Sequence, residues 1–242
     1  MNWIEKVAAI NSFYKKSFEN PRPWADVPTS GSYAKKVRKL AIFGNRSKEE
    51  IEEICQIVEH LRKAFKIMDD LIDEDEVRDF APAFWVLNGA EKTIEQAAYY
   101  LGRARKIAVE LGITNFEQRV CEVIAAARLE VEMENPKFTA ELPLSELWTM
   151  VVMKEASFRL FIAEALGCPE NICKAAYLDG VAAQMLDDSL SVLYGKDGRI
   201  SNSDERLGRL TYMRAFGTTP EKTVVLGRKL KSEIAPILGL EV

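Results

Sequence analysis

Histidine is almost missing from this chain. Its 242 residues hold one, His60, so neither a Ser-His-Asp triad nor a multi-histidine zinc site is expected. Cysteine is scarce too: Cys55, Cys121, Cys168 and Cys173 form no C-x-x-C pair and read as reduced packing residues rather than metal or redox ligands. No apolar run approaches the roughly 18 residues of a membrane span. The opening Met1-Asn2-Trp3-Ile4-Glu5-Lys6 lacks the basic start, apolar stretch and cleavage site of a signal peptide, so a cytoplasmic location is expected. Thirteen glycines and nine prolines are too few for collagen-like or low-complexity sequence. Charge of one sign is lacking as well. Lys and Arg (33) nearly offset Asp and Glu (37), and a net charge of −4 excludes nucleic acid as an expected partner. What remains, 48% apolar and 29% charged residues, is the composition of a soluble globular chain. Its chemistry must run on carboxylates and cations.

Almost nothing has the alternation of a strand; the dominant period is 3.6. A first helix is expected over Trp3 to Phe18, with Ile4, Val7, Ala8, Ile10 and Phe13 as its apolar stripe, ended by Asn20-Pro21-Arg22-Pro23. A second runs from Tyr33 to Ile42. Ser47-Lys48-Glu49-Glu50 is a capping box that opens a long helix running into Asp69-Asp70. Further helices are expected over Ala90 to Leu111, Asn115 to Met133, Ser145 to Leu166, from Pro169-Glu170 through Asp187-Asp188, over Asp204 to Phe216, and over Pro220 to Leu238. With no repeat and no long linker, the expectation is a single all-α domain over residues 1–242.

The carboxylates are oddly placed. Asp69, Asp70 and Asp73 fall at i, i+1 and i+4, so three acids crowd one helix end and repel one another unless cations neutralise them. A solvated helix terminus is the plain alternative. Asp187-Asp188 is harder to explain that way, because Gly180 to Leu186 before it and Ser189 to Leu193 after it are mostly apolar. Adjacent carboxylates there carry a desolvation cost unless a metal or cation offsets it. Oxygen ligands without His or Cys suit Mg²⁺, which binds a few carboxylates together with substrate phosphate oxygens.

Asp69-Asp70-Leu71-Ile72-Asp73 with Arg78, Lys154-Glu155-Ala156-Ser157-Phe158-Arg159, Gly180 to Asp188, and Ser203 to Thr211 stand in the order of four motifs of the trans-isoprenyl diphosphate synthase (polyprenyl synthetase) family, which the chain resembles. They are similar to the family's first aspartate-rich motif, its diphosphate-gripping lysine, its G-x-x-F-Q-x-x-D-D and its S-D-x-x-x-G-K-x-T, with Arg209 at the lysine position. The resemblance implies an isoprenoid-synthase bundle of about ten helices around a deep apolar cavity, with both acidic pairs at its mouth, and a homodimer. It implies that Asp69, Asp70, Asp73, Asp187 and Asp188 hold about three Mg²⁺ ions with an allylic diphosphate. Arg78, Lys154, Gln184 and Arg209 would bind that donor. Lys35, Arg38 and Arg62 would hold isopentenyl diphosphate. Lys36 and Lys39 are expected to be solvated.

The departures concentrate in the acceptor half. The family's Gly-Gly-Lys-Arg-x-Arg-Pro is Tyr33-Ala34-Lys35-Lys36-Val37-Arg38-Lys39, Arg62 stands for a histidine, Asp79 for a second arginine, Ala183 for a phenylalanine and Ser191 for an aspartate. The implied activity is condensation of an allylic diphosphate with isopentenyl diphosphate. Phe65, four residues before Asp69, implies a C10 to C20 product. Three alternatives stay open: a class I terpene cyclase, whose second metal motif matches at Ser191 and fails at Gly195; prenyl transfer to another acceptor, motivated by Asp79 and the lost glycines; and a non-catalytic partner subunit, against which the intact Asp69-Asp70-x-x-Asp73 argues.

Overall fold

Capping boxes start two of the helices. Asn2 accepts from the Glu5 amide at 3.1 Å while Glu5 accepts from the Asn2 amide at 2.8 Å, opening α1 (Trp3–Lys16). Ser47 and Glu50 exchange the same pair of bonds at the head of a long central helix, α3 (Lys48–Ile72). The computed structural model describes residues 1–19, 27–194 and 207–240. Its other helices are α2 (Ser32–Leu40), α4 (Phe84–Glu110), α5 (Phe116–Glu132), α6 (Leu144–Val151), α7 (Met153–Ala165), α8 (Glu170–Tyr194), α9 (Tyr212–Phe216) and α10 (Pro220–Ile234). Ten α-helices among the described residues give the all-α bundle expected from the 3.6 period.

α3 carries Ile54, Ile57, Val58, Leu61, Ala64 and Met68 into the core and packs along α4. α8 lies between α7 and α10, α5 packs on α7, and α1 lies across α4 and α5. One continuous apolar cluster joins α1 to α5, α7 and α8 and reaches Ile234 and Leu238. A smaller one, Leu147, Trp148, Val152, Met185 and Leu210, ties α6 to α8 and the segment before α9. No helix among the described residues is long and apolar enough to cross a membrane.

Four local departures from the sequence reading have physical causes. The expected Ser145 to Leu166 helix is two, because Val152 flattens to ψ −18°, the tighter turn of a 3₁₀ step. α4 begins at Phe84 rather than Ala90, but Gly89 at φ 79° breaks it, so the expected start is where the uninterrupted part begins. The expected Asp204 to Phe216 helix is interrupted: Gly208 turns left-handed at φ 68°, and the chain stays non-helical until Thr211, itself extended, caps α9 by accepting from the Arg214 amide. Residues 204–206 lie outside the described residues. A two-residue ladder, Val77–Arg78 against Ala81–Pro82, follows α3 where no strand was expected. Its turn holds Asp79 and Phe80 at φ 52° and 63°, the left-handed pair that closes tight hairpins. This hairpin folds Arg78 back onto the aspartates that end α3.

Candidate active site

The period of α3 places Arg62, Phe65, Lys66, Asp69 and Ile72 along one face, and all five line a cavity of about 480 Å³. α7 contributes Lys154, Glu155, Phe158 and Arg159 to it, and α8 contributes Ala183, Gln184 and Asp187. Ile10 and Phe13 of α1, Val123, Ile124 and Ala127 of α5, and Tyr33 of α2 complete the wall with Met68, Arg78 and Asp79. Phe65 meets Phe13 and Phe158 edge to face at 6.3 and 6.4 Å, and Phe158 meets Tyr33 at 5.1 Å. An aromatic wall therefore stands next to a charged one.

The helix packing that makes this possible rests on Gly180. A Cβ there would lie 2.5 Å from the Ala156 Cα and 2.8 Å from the Glu155 carbonyl oxygen, so α8 touches the backbone of α7 just where Lys154 and Glu155 leave it. Gly180→Ala is expected to push the two helices apart, costing about 1–3 kcal/mol in thermal or denaturant melts.

The aspartates of the two pairs are treated differently. Asp69 lines the cavity and accepts from Arg78 at 3.4 Å, whereas Asp70 is buried and accepts from two nitrogens of the same guanidinium, Nε and Nη2, on its Oδ1. Burial opposes the Arg78 charge, but these aspartates more than offset it and raise its pKa. Asp73 is buried against Arg209, which is 1% exposed and also bonds Glu134 at 2.9 Å and the Ile72 carbonyl at 3.3 Å. Lys6 joins Glu134 at 2.8 Å, and Lys154 bonds both oxygens of Glu130 at 2.8 Å, itself 3.8 Å from Arg209. On α8, Asp187 lines the cavity and Asp188 does not. Asp188 is 2% exposed and accepts from Gln184 at 2.6 Å, the Tyr212 amide at 2.7 Å and the Trp148 indole at 3.4 Å. Ser191 donates to the Asp188 carbonyl at 3.2 Å.

Of the cations expected on the acceptor side, the structure brings only Arg62 to the cavity, where it lies over the Tyr33 ring at 5.9 Å. Lys35 is exposed, and Arg38 faces outward in a pair with Glu52 at 2.6 Å and a bond to the Thr29 carbonyl at 2.8 Å. Lys36, expected to be solvated, is instead half-buried and pairs with Asp179 at 3.0 Å; Lys39 is exposed as expected. Burial, then the neighbouring Arg159, lowers the Lys36 pKa to about 8. Asp79 does not stand as a bare negative charge: Lys66 bonds it at 2.5 Å and lowers its pKa. Lys66 on α3 thus balances the acid on the hairpin.

Sequence reasoning missed Tyr33, Lys36, Lys66, Glu130, Glu134, Glu155, Arg159 and Asp179 as members of this region. Some signal was there: Glu155 and Arg159 are one turn apart on α7, at the spacing of an i,i+4 pair. Nothing in the sequence shows that Asp179 meets Arg159 across α7 and α8.

No protein-family model matches the sequence, and no curated protein matches it. Solved structures do. An isoprenoid synthase family member from Thermotoga neapolitana superposes over 96% of this chain and 93% of its own with a TM-score of 0.68 at 17% identity. The chain has the isoprenoid-synthase fold. A geranyltranstransferase from Thermotoga maritima gives a TM-score of 0.65 at 17% identity, over 97% of this chain and 92% of its own. A polyprenyl synthase from Caulobacter crescentus, solved with calcium and isoprenyl diphosphate, gives 0.63 at 15% over 96% and 82%.

Proposed function

We propose that the protein is a Mg²⁺-dependent prenyltransferase that condenses an allylic diphosphate with isopentenyl diphosphate into a C10 to C20 trans-prenyl diphosphate. The observation that carries this reading is a single cavity lined by carboxylates from two helices, Asp69 of α3 and Asp187 of α8, by the cations Arg78, Lys154 and Arg62, and by an apolar wall. An ionising diphosphate ester needs that combination: charge for the leaving group and a dry surface for the hydrocarbon cation.

The donor set fits Mg²⁺. All the candidate ligands are hard carboxylate oxygens, and Mg²⁺ is usually held by one or two carboxylates plus substrate phosphate oxygens. Asp69 and Asp187 suit that role. Among the described residues no group of three or more potential ligands is preassembled, since Asp70, Asp73 and Asp188 are held by Arg78, by Arg209 and by the Gln184–Tyr212 donors. Metal and diphosphate are therefore expected to bind together. Bound Mg²⁺ supplies charge neutralisation of the leaving diphosphate. Arg78 and Lys154 add direct charge, Gln184 and Trp148 hold Asp188 and with it the turn that carries Asp187, and Phe65 with Phe13 and Phe158 limits the growing chain. The polyprenyl synthase solved with calcium and isoprenyl diphosphate supports this ligand class. A homodimer in the cytoplasm belongs to the same reading.

Transfer to an acceptor other than isopentenyl diphosphate is the second reading, because Lys35 and Arg38 do not reach the cavity. One assay separates them: dimethylallyl or farnesyl diphosphate with Mg²⁺ and labelled isopentenyl diphosphate, read by mass spectrometry. Label in a longer diphosphate is the expected result. Diphosphate release without incorporation overturns the synthase reading, and a volatile hydrocarbon product establishes a cyclase.

A further inference from the structure

Among the described residues, every cation that lines the cavity bonds a protein carboxylate except Arg62. Lys66 bonds Asp79 at 2.5 Å, Arg78 bonds Asp70, Lys154 bonds Glu130 at 2.8 Å and Arg159 bonds Asp179. Arg62 has no hydrogen bond and no ion pair among those residues, and its guanidinium lies 5.9 Å from the centre of the Tyr33 ring. Asp79 feels its charge from a distance but is bonded to Lys66. Tyr33 is in the same condition. Its ring packs on Phe158 at 5.1 Å and it lines the cavity, yet its hydroxyl has no hydrogen-bond partner among the described residues. Two donors with nothing to donate to therefore stand side by side in one wall, and unmatched polar groups inside a protein call for a ligand or water. Both are fixed from behind. Glu59 of α3, 3% exposed, accepts from the Ala34 amide at 3.1 Å, and a Cβ at Gly31 would lie 2.3 Å from its Oε1. Ala34 and Val37 are fully buried. The turn that carries Tyr33 is thus pinned to the helix that carries Arg62.

We propose that the Tyr33 hydroxyl joins the Arg62 guanidinium in holding the diphosphate head of isopentenyl diphosphate, so that Tyr33 sets the affinity for the acceptor. The inference rests on the synthase reading above and supplies the grip that Lys35 and Arg38, outside the cavity, do not. A guanidinium offers a planar fork to two phosphate oxygens, and a phenol beside it adds one more charge-assisted bond. Burial, then the Glu155 charge, raises the phenol pKa, with Arg159 and Arg62 opposing, so the group keeps its proton and donates. Asp187, a metal ligand of the donor side in that reading, is also among the charges the phenol feels, so a head held here shares the cavity with the donor diphosphate. The residue that stands where the acceptor motif has its first glycine thus contributes a side chain of its own.

The test measures equilibrium binding of isopentenyl diphosphate by calorimetry, and the kinetic constants for both substrates from labelled product, in the native protein, Tyr33→Phe and Arg62→Met. Tyr33→Phe keeps the ring against Phe158 and removes a hydroxyl that no described protein group uses, so its melting temperature is expected to match the native one. Its dissociation constant and KM for isopentenyl diphosphate are expected to rise roughly 10-fold or more, the loss that goes with a hydrogen bond to a charged partner. The KM for the allylic donor should stay within about twofold, the split that marks a group binding the acceptor alone. Arg62→Met should raise the same two acceptor constants. Acceptor binding within about twofold of native in either variant overturns the joint grip. Donor and acceptor constants rising together in Tyr33→Phe overturn it as well, since that is the mark of a wall residue shaping the whole cavity. In both cases labelled product from the native protein leaves the synthase reading standing. Absence of labelled product from the native protein overturns that reading and the acceptor assignment with it.

Discussion

Asp69→Ala is expected to abolish diphosphate release from an allylic substrate, by about 10²–10³-fold or more, without loss of the fold. The argument starts from solvent. The Asp69 side chain is 42% exposed and borders the cavity, and its contact with Arg78 is long, 3.4 Å. Removing a carboxylate so placed releases little folding energy, because exposed ion pairs contribute little. It does remove one of two cavity-lining acids that can hold a divalent ion against a diphosphate, and with it the charge that lowers the ionisation barrier. Asp70→Ala, one residue on, has the opposite signature. Asp70 is 3% exposed and accepts two bonds from Arg78 on one oxygen, so its loss takes both from a guanidinium that is itself largely buried. A stability loss of about 3–5 kcal/mol is expected there. Melting curves and diphosphate release measured on both variants check the contrast. An Asp69→Ala protein that still ionises the donor at the native rate would remove Asp69 from the proposed machinery.

The difference between those neighbours shows where the sequence stops being readable. Period, caps and proline placed the helices, because those signals are local: Ser47 with Glu50, Pro220 after Thr219, and the apolar face of α3. The acidic pairs stood out because carboxylates amid apolar residues need a partner. The identity of the partner was not legible. Asp70 finds Arg78 through a hairpin whose turn puts aspartate and phenylalanine in the left-handed region, a geometry that sequence assigns to glycine and asparagine. Asp188 is held by an indole from α6 and an amide at the start of α9, contacts that depend on tertiary packing alone. The same holds for the acceptor side. Lys35, Lys36 and Arg38 are equivalent by composition, yet the pitch of α2 turns Lys36 toward Asp179 and leaves Arg38 with Glu52. Lys66 opposite Asp79 is a charge exchange that can be recognised only once helix and hairpin are folded together.

A stability effect as large is expected from Arg209→Met. Arg209 is 1% exposed and sits among three carboxylates: Asp73 of the α3 end, Glu130 of α5 and Glu134 in the turn that follows it. Lys6 of α1 and Lys154 of α7 bond the two glutamates from outside, so five charged side chains besides Arg209 join four helical segments beneath the donor site. Arg209 reaches the centre because Gly208 turns the chain out of helix and residues 209–211 stay non-helical. Methionine has about the right bulk but no charge. It takes from Asp73, Glu130 and Glu134 the cation they share and leaves them, among the described residues, with Lys6 and Lys154, in a place where solvent screens little. Breaking such a buried arrangement costs about 3–5 kcal/mol, which at this size lowers the melting temperature on the order of 10 °C. Lysine at this position is expected to recover only part, since an ammonium lacks the planar fork that serves Asp73, Glu134 and the Ile72 carbonyl at once. Glu134→Gln added to Arg209→Met should recover part as well, because it removes a stranded charge, and the non-additivity of the pair measures their coupling. Arg209→Met melting within about 2 °C of native, less than 1 kcal/mol corresponds to at this size, would show that the network adds nothing to the fold. Arg209 would then be a cation held for substrate alone.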